Sequence, residues 1–330
     1  MASRLHPTLA ILSVAGDLHG MCVAASMAKT LGGDLTVHIV DMDRRALEGG
    51  LSWTMGSSAD DPGSLMVRDN QGAWFDFAAT DVVWCRRFTG RQNGDVPTGL
   101  LKQQWTEAGL LMASVAGPRW VDHPAVLSTA EEKPRQLRAA QAVGFATPRT
   151  LISQRADDIR HFVNQSSNGV IVKPLCGYVH QQLFTLDVGQ DILDAAESFQ
   201  QFPAIFQERV DGRRHLRLAC VGDNVVTFQI ESDELDWRNR KDITITHIET
   251  DPTIGGRCLA VLAELGLTMG VIDAKVDHDG QVWFFEVNPQ GQFMFLEIFG
   301  RVALRAIYAK HLLQAMAQPA VGVMPALVAS

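Results

Sequence analysis

Two apolar runs, Met269–Val276 and Val282–Val287, flank the turn sequence Asp277-His-Asp-Gly280. Runs of this kind, closed by a short polar turn, pair as an antiparallel hairpin. Residues i and i+2 of a strand share a face, so Glu286 and Asn288 present their oxygens together, and the hairpin partner brings Asp273 beside them. Three hard oxygen ligands suit Mg²⁺, an ion usually completed by waters and substrate phosphates rather than by a closed protein cage. Glu286 lies between Trp283-Phe-Phe and Val287, where a carboxylate without a partner is costly. Taken alone, the hairpin reads equally as an exposed acidic face with an asparagine capping a turn.

The surrounding pattern is α/β in the first third and α+β in the second half. Leu9–Val14 is a continuous apolar run suited to a buried parallel strand, Met21–Leu31 has helical spacing, and Leu35–Val40 is a second strand ending at Asp41 and Asp43. The turn Gly16-Asp-Leu-His-Gly20 does not match the G-x-G-x-x-G dinucleotide pattern and reads as a plain turn. Asp81–Arg87 is a further buried strand, followed by a helix over Gly99–Ala116, a strand stopped at Pro124 and a helix over Thr129–Val143 capped by Gly144. Strands follow at Thr147–Ile152, Val170–Lys173, Ala204–Val210, Leu216–Val221 and Val225–Glu231. Helices are expected over Asp191–Gln200, Thr253–Leu265 and Gly300–Ala317. With 330 residues, the chain exceeds one ordinary domain of about 100–200 residues.

Charge and cysteine usage narrow the function. Twenty-nine basic and thirty-seven acidic residues give a net charge of −8, which disfavours nucleic acid and anionic membrane as partners and requires a local basic site for any anionic ligand. No apolar stretch approaches the ~20 residues of a membrane span. The five cysteines form no C-x-x-C pair, so a zinc knuckle or disulfide framework is unsupported and a reducing cytoplasm fits best. No Ser/His/Asp set has the context of a nucleophile elbow.

Lys173 ends an apolar strand and Lys133 lies in the segment that begins a helix after a linker, and lysines so placed reach phosphate oxygens as point charges. Phe206-Gln-Glu-Arg-Val210 is a strand end whose backbone suits an adenine edge. In this order, these features resemble the ATP-grasp superfamily, in which one lysine comes from each of two strands over the nucleotide. The resemblance implies an ATP-grasp fold behind an N-terminal pre-ATP-grasp βαβ domain. It places ATP on Lys133, Lys173, Gln207, Glu208, Arg209 and Val210, and Mg²⁺ on Asp273, Glu286 and Asn288. The implied boundaries are 1–121 for the preceding domain and 122–318 for the ATP-grasp domain, with a central lobe at 122–202, a C-terminal lobe at 203–318 and a tail at 319–330.

A narrower similarity rests on Val83-Trp-Cys-Arg-Arg87, Trp120-Val-Asp-His-Pro124, Glu132-Lys-Pro-Arg-Gln-Leu137, Asp236-Trp-Arg238 and Asn288-Pro-Gln-Gly-Gln292 with Glu297. These blocks look like the ribosomal-peptide maturases that make microviridins and other graspetides. Such enzymes phosphorylate Asp or Glu side chains of a precursor peptide and close ω-ester or ω-amide rings with Thr, Ser or Lys. The implied partner is a precursor with a leader and an Asp/Glu-rich core, and a homodimer is expected. Departures are Cys85 in place of the usual Tyr, His215 in place of an acidic residue, and a single glycine in Lys173–His180. Arg217 and Arg238 are the catalytic candidates, because guanidinium forks suit a transferred phosphate. Arg86, Arg87, Arg91, Arg213 and Arg214 read either as contacts for peptide carboxylates or as internal ion-pair donors. The alternative activity is a carboxylate-amine ligase that adds an amino acid to a peptide or small acid.

Overall fold

The computed structural model describes residues 6–14, 16–42, 49–58, 63–87, 100–115, 117–175, 185–239 and 243–318. Asp43, Arg91, the segment Cys176–His180 and the tail 319–330, all singled out in the sequence, lie outside the described residues. Two compact units divide the chain: residues up to Ser128 with Gln292–Glu297 and everything from Ala303 on, and Thr129–Gly291 with Ile298–Val302.

The first unit opens with β1 (Thr8–Ser13), α1 (Leu18–Thr30) and β2 (Thr36–Asp41), followed by β3 (Leu51–Thr54), β4 (Ser64–Arg68), β5 (Trp74–Asp76) and β6 (Val82–Cys85). After α2 (Leu100–Ser114), β7 (Arg119–Val121) completes a parallel sheet of order β2-β1-β6-β7, while β3-β4-β5 form a small antiparallel sheet. Leu9–Leu12 of β1 are fully buried, as expected of a parallel strand covered on both faces. The Gly16–Gly20 turn is occupied internally. Asp17 caps α1 through the His19 N–H, accepts from the Ser13 hydroxyl at 2.6 Å and pairs with Arg86 at 3.1 Å. Burial alone would raise the Asp17 carboxyl, but these partners hold it well below the usual range.

Helix α3 (Pro124–Ala130) leads into α4 (Lys133–Ala142), so the single helix expected over Thr129–Val143 is two. Glu132 is extended at the N-cap and Pro134 lies in the first turn of α4, where its missing N–H costs nothing. Next come β8 (Thr150–Ser153), α5 (Ala156–Asn164), β9 (Val170–Pro174), β10 (Leu186–Asp187), α6 (Gln190–Asp194) and β11 (Ala204–Glu208). They form an antiparallel sheet of order β10-β9-β11-β8 over a core containing Ile159, Phe162, Val172 and Phe206. The helix expected over Asp191–Gln200 is α6 followed by a 3₁₀ turn at Ala196–Gln201.

The remaining elements of the second unit are β12 (Arg214–Val221), β13 (Asn224–Glu231), β14 (Ile245–Ile248), α7 (Pro252–Glu264), β15 (Met269–Val276) and β16 (Val282–Asn288). They make an antiparallel sheet of order β14-β13-β12-β15-β16, with α7 packed on β12, β13 and β15. The final helix expected over Gly300–Ala317 is α9 (Leu304–Ala317); before it stands a separate α8 (Met294–Gly300) that was not expected, the two being divided at Arg301, whose φ of 55° is left-handed. Strands β5, β10 and β14 were not legible in the sequence. The fold is α/β in the first unit and antiparallel α+β in the second, as the pattern predicts.

Candidate nucleotide and metal site

The β15–β16 hairpin forms, with Asp273 opposite Glu286 and Val271 opposite Asn288. A bulge between Asp273 and Ala274 shifts the register immediately beyond this pair, a device that re-aims side chains next to functional sites. Asn288 Nδ2 donates to Asp273 Oδ2 at 3.2 Å, so the three predicted oxygen side chains come together. Among the described residues, no three His, Cys, Asp or Glu side chains form a metal-holding group. The cluster is two carboxylates and an amide, which fits an ion that keeps ligands from solvent or phosphate.

Cations face this cluster from three elements. Lys133, the first residue of α4, donates to Glu286 Oε2; it sits at a helix start rather than on a strand, because the Glu132–Pro134 break opens α4 there. Lys173 lies on β9 opposite Ile205. Burial pushes its ammonium down to about 8, Glu286 and Asp273 oppose that shift and Lys133 adds to it. Arg217 stands opposite Asp273 across β12 and β15, with Nε 2.7 Å from Oδ1 and its NH2 group 3.4 Å from Oδ2.

Burial raises both carboxyls, and their neighbours then separate them. Glu286 is brought down to about 2 by the charges of Lys133 and Lys173, the Lys133 hydrogen bond and Arg238. For Asp273, burial and the negative charge of Glu286 prevail over Arg217 and Arg238, so its carboxyl is raised, although 26 % of its side chain still meets solvent.

Arg238 is held by Asp236 in a two-pronged pair, 2.7 Å from Nε to Oδ1 and 2.5 Å from the NH2 group to Oδ2, and Asp236 is 7 % exposed. Between them in sequence, Trp237 lies under the Arg217 guanidinium, 5.7 Å from ring centroid to carbon. Both arginines are therefore oriented by residues of one short segment.

The strand end Gln207–Val210 is tied into its sheet. Gln207 is buried and donates to the Thr150 hydroxyl at 2.8 Å. Glu208 accepts from Arg149 at 2.9 Å and from Ser166 at 3.1 Å. The backbone N–H groups of Glu208 and Arg209 donate to the carbonyls of Arg149 and Gly169, and the Arg209 side chain pairs with Asp211 and Asp187. Val210 follows the last of these committed donors.

Gln136 was missed by sequence reasoning. Its amide, 1 % exposed, donates to the carbonyls of Ala130 at 2.7 Å and Val287 at 2.8 Å and accepts from the Val287 N–H at 3.0 Å. The amide thus pairs with edge strand β16 between Glu286 and Asn288 as a neighbouring strand would. Farther along that edge, the Phe284 N–H donates to the Ala146 carbonyl.

Of the other basic residues, Arg86 is buried in its pair with Asp17, Arg87 donates to the Arg86 carbonyl and Arg213 pairs with Asp233 at 2.7 Å.

No protein-family model matches the chain, and no curated protein matches it in sequence. Among solved structures, it is similar to an RiPP-associated ATP-grasp ligase of Chryseobacterium gregarium, in complex with ADP and leader and core peptides. The TM-score is 0.80 at 19 % identity, covering 95 % of this chain and 98 % of that one. These similarities define the class by fold: the chain has the ATP-grasp fold. Within that class, the macrocyclase MdnC of Microcystis aeruginosa MRC, bound with precursor peptide MdnA, has TM-score 0.79 at 24 % identity over 93 % of this chain and 99 % of its own. The ATP-grasp ligase PsnB with a minimal precursor has TM-score 0.76 at 21 % identity over 94 % and 99 %.

Proposed function

We propose that the protein is an ATP-dependent ligase that phosphorylates Asp or Glu side chains of a ribosomally made precursor peptide and joins them to Thr, Ser or Lys side chains as ω-ester or ω-amide rings. The observation that carries this reading is the meeting of Asp273, Glu286 and Asn288 with Lys133, Arg217 and Lys173 in a fold shared, over nearly its whole length, with peptide macrocyclases. The donor set fits the ion: hard oxygens, too few for a closed cage, beside cations suited to phosphate.

When bound, ATP supplies the phosphoryl group that turns a carboxylate into an acyl phosphate, and Mg²⁺ offsets the charge of its terminal phosphates. Asp273, Glu286 and Asn288 would hold the ion. Lys133 and Lys173 would grip phosphate oxygens, with Gln207, Glu208, Arg209 and Val210 lining the base. Arg217 and Arg238 are pre-oriented by Trp237 and Asp236, so little side-chain entropy remains to be lost when they grip the acyl-phosphate oxygens. Ring closure then needs position and water exclusion, because an acyl phosphate acylates a nearby hydroxyl or amine.

On this reading, residues 1–121 form the preceding domain, 122–202 the central lobe and 203–318 the C-terminal lobe. The peptide has a leader and an acidic core, the protein is a cytoplasmic homodimer, and light scattering tests the dimer. The activity test is incubation with ATP, Mg²⁺ and acidic precursor peptides encoded beside the gene, read by mass spectrometry. Loss of one water per ring is expected. A mass gain of one amino acid would instead identify a carboxylate-amine ligase, and no ATP-dependent mass change with any neighbouring precursor would refute the reading.

A further inference from the structure

We propose that Lys133 and Arg217 are built-in counter-ions that take the electrostatic place of the divalent cation in the nucleotide-free protein, so that Mg²⁺ binds Asp273 and Glu286 only together with a nucleotide. The inference rests on the nucleotide-site reading above and adds an order of binding to it.

The two carboxylates are already engaged. Glu286 Oε2 receives the Lys133 ammonium, and the pair keeps only 22 % and 26 % side-chain exposure. Asp273 Oδ1 faces Arg217 Nε at 2.7 Å, while Oδ2 takes the Arg217 NH2 group at 3.4 Å and Asn288 Nδ2 at 3.2 Å. Arg217 is 10 % exposed and lies over Trp237, so it has little freedom to swing into water.

Charge decides the consequence. Lys133 and Arg217 already balance the two carboxylates without any metal, and Lys173 beside them brings the sum to +1. A divalent ion arriving alone would raise that sum to +3 and displace two largely buried cations, with no anion to receive them, and uncompensated charge in such a place is costly. A nucleotide triphosphate removes the obstacle. Its phosphate oxygens accept the Lys133 ammonium and the Arg217 guanidinium as the carboxylates turn to the metal. Exchange of partners replaces net addition of charge, and neither cation is left bare. The same pairs also spare Asp273 and Glu286 from mutual repulsion, keeping the hairpin oxygens set for the ion.

Mn²⁺, which shares the oxygen preference of Mg²⁺, is the probe, with binding read by electron paramagnetic resonance and calorimetry rather than turnover. The wild-type protein alone is expected to bind Mn²⁺ no better than millimolar, and to take it up at least about tenfold more tightly once saturated with AMPPNP. Lys133→Met is expected to bind Mn²⁺ without nucleotide at least about tenfold more tightly than wild type, and Lys133→Arg to restore exclusion, with thermal melts confirming that both variants fold. AMPPNP binding together with micromolar Mn²⁺ binding by the free wild type would overturn the counter-ion inference while leaving the nucleotide site standing. A folded Lys133→Met protein with wild-type Mn²⁺ affinity would also overturn it. Absence of AMPPNP binding with or without metal would overturn the nucleotide reading and this inference together.

Discussion

Replacing Glu286 with Gln keeps the side-chain shape but removes the charge that Lys133 and Lys173 face. Glu286→Gln and Asp273→Asn are therefore expected to melt within a few degrees of wild type while losing at least about a hundredfold in Mg²⁺-dependent turnover, roughly 3 kcal/mol of transition-state stabilisation. Near-normal turnover would refute their metal role. His215 supplies a second test. Burial, then the charge of Lys275 opposite it on β15, pushes its imidazole down to about 4, against the Ser232 backbone and Asp236, which favour the charged form. The unfolded chain takes the proton first, near 6.5. The stability conferred by a neutral His215 is thus complete above about pH 6.5, declines as pH falls and is lost near pH 4, a change of about 3 kcal/mol. Denaturant midpoints at pH 7 and pH 5 should fall less for His215→Gln than for wild type. At this scale, Asp273, Glu286 and Asn288 were legible because a strand's period of two fixes which side chains share a face. Trp237 and Asp236 appeared in the sequence only as part of a block; their work of aiming Arg217 and Arg238 depends on contacts with no sequence period.

Edge strand β16 carries Glu286 and Asn288, and between them its buried edge groups, the N–H and carbonyl of Val287, are paired by one side chain from α4. Gln136→Leu would fill similar volume but leave the buried N–H and carbonyl of Val287 without their amide partner. At about 1–3 kcal/mol for each stranded group, the expected loss is on the order of 3 kcal/mol, measured by chemical denaturation. Turnover should fall as well, because the same bonds fix the strand between two site residues. An unchanged denaturation midpoint would show that water replaces the amide. The hairpin itself followed from apolar runs and turn chemistry, whereas this clamp did not: a glutamine pairing with a strand 151 residues away leaves no local pattern. The division of the expected helix into α3 and α4 was encoded in Pro134 and Glu132, but helical spacing on both sides masked it. That division is what makes Lys133 a helix-start residue.

Across the whole molecule, a net charge of −8 opposes the approach of an acidic peptide. Four arginines that could have offset this are engaged internally: Arg86 on Asp17, Arg213 on Asp233, and Arg217 and Arg238 on Asp273 and Asp236. Such neutralised pairs project little field beyond a Debye length, though they remain able to exchange partners once a ligand has arrived. Sequence composition gives the sign of the global field; the pairing shows that Arg86 and Arg213 of the arginine clusters are engaged by carboxylates of the chain itself. Salt should therefore assist encounter with the proposed acidic precursor. Raising ionic strength from about 20 to about 200 mM shortens the Debye length from about 20 Å to about 7 Å and screens the repulsion, so the association rate of a fluorescent acidic precursor, followed by stopped flow, is expected to rise severalfold. A rate that falls with salt would mean that a local positive field, with Arg214 the exposed candidate on β12, steers the peptide in spite of the net charge. Charge reversal by Arg214→Glu would then abolish that dependence.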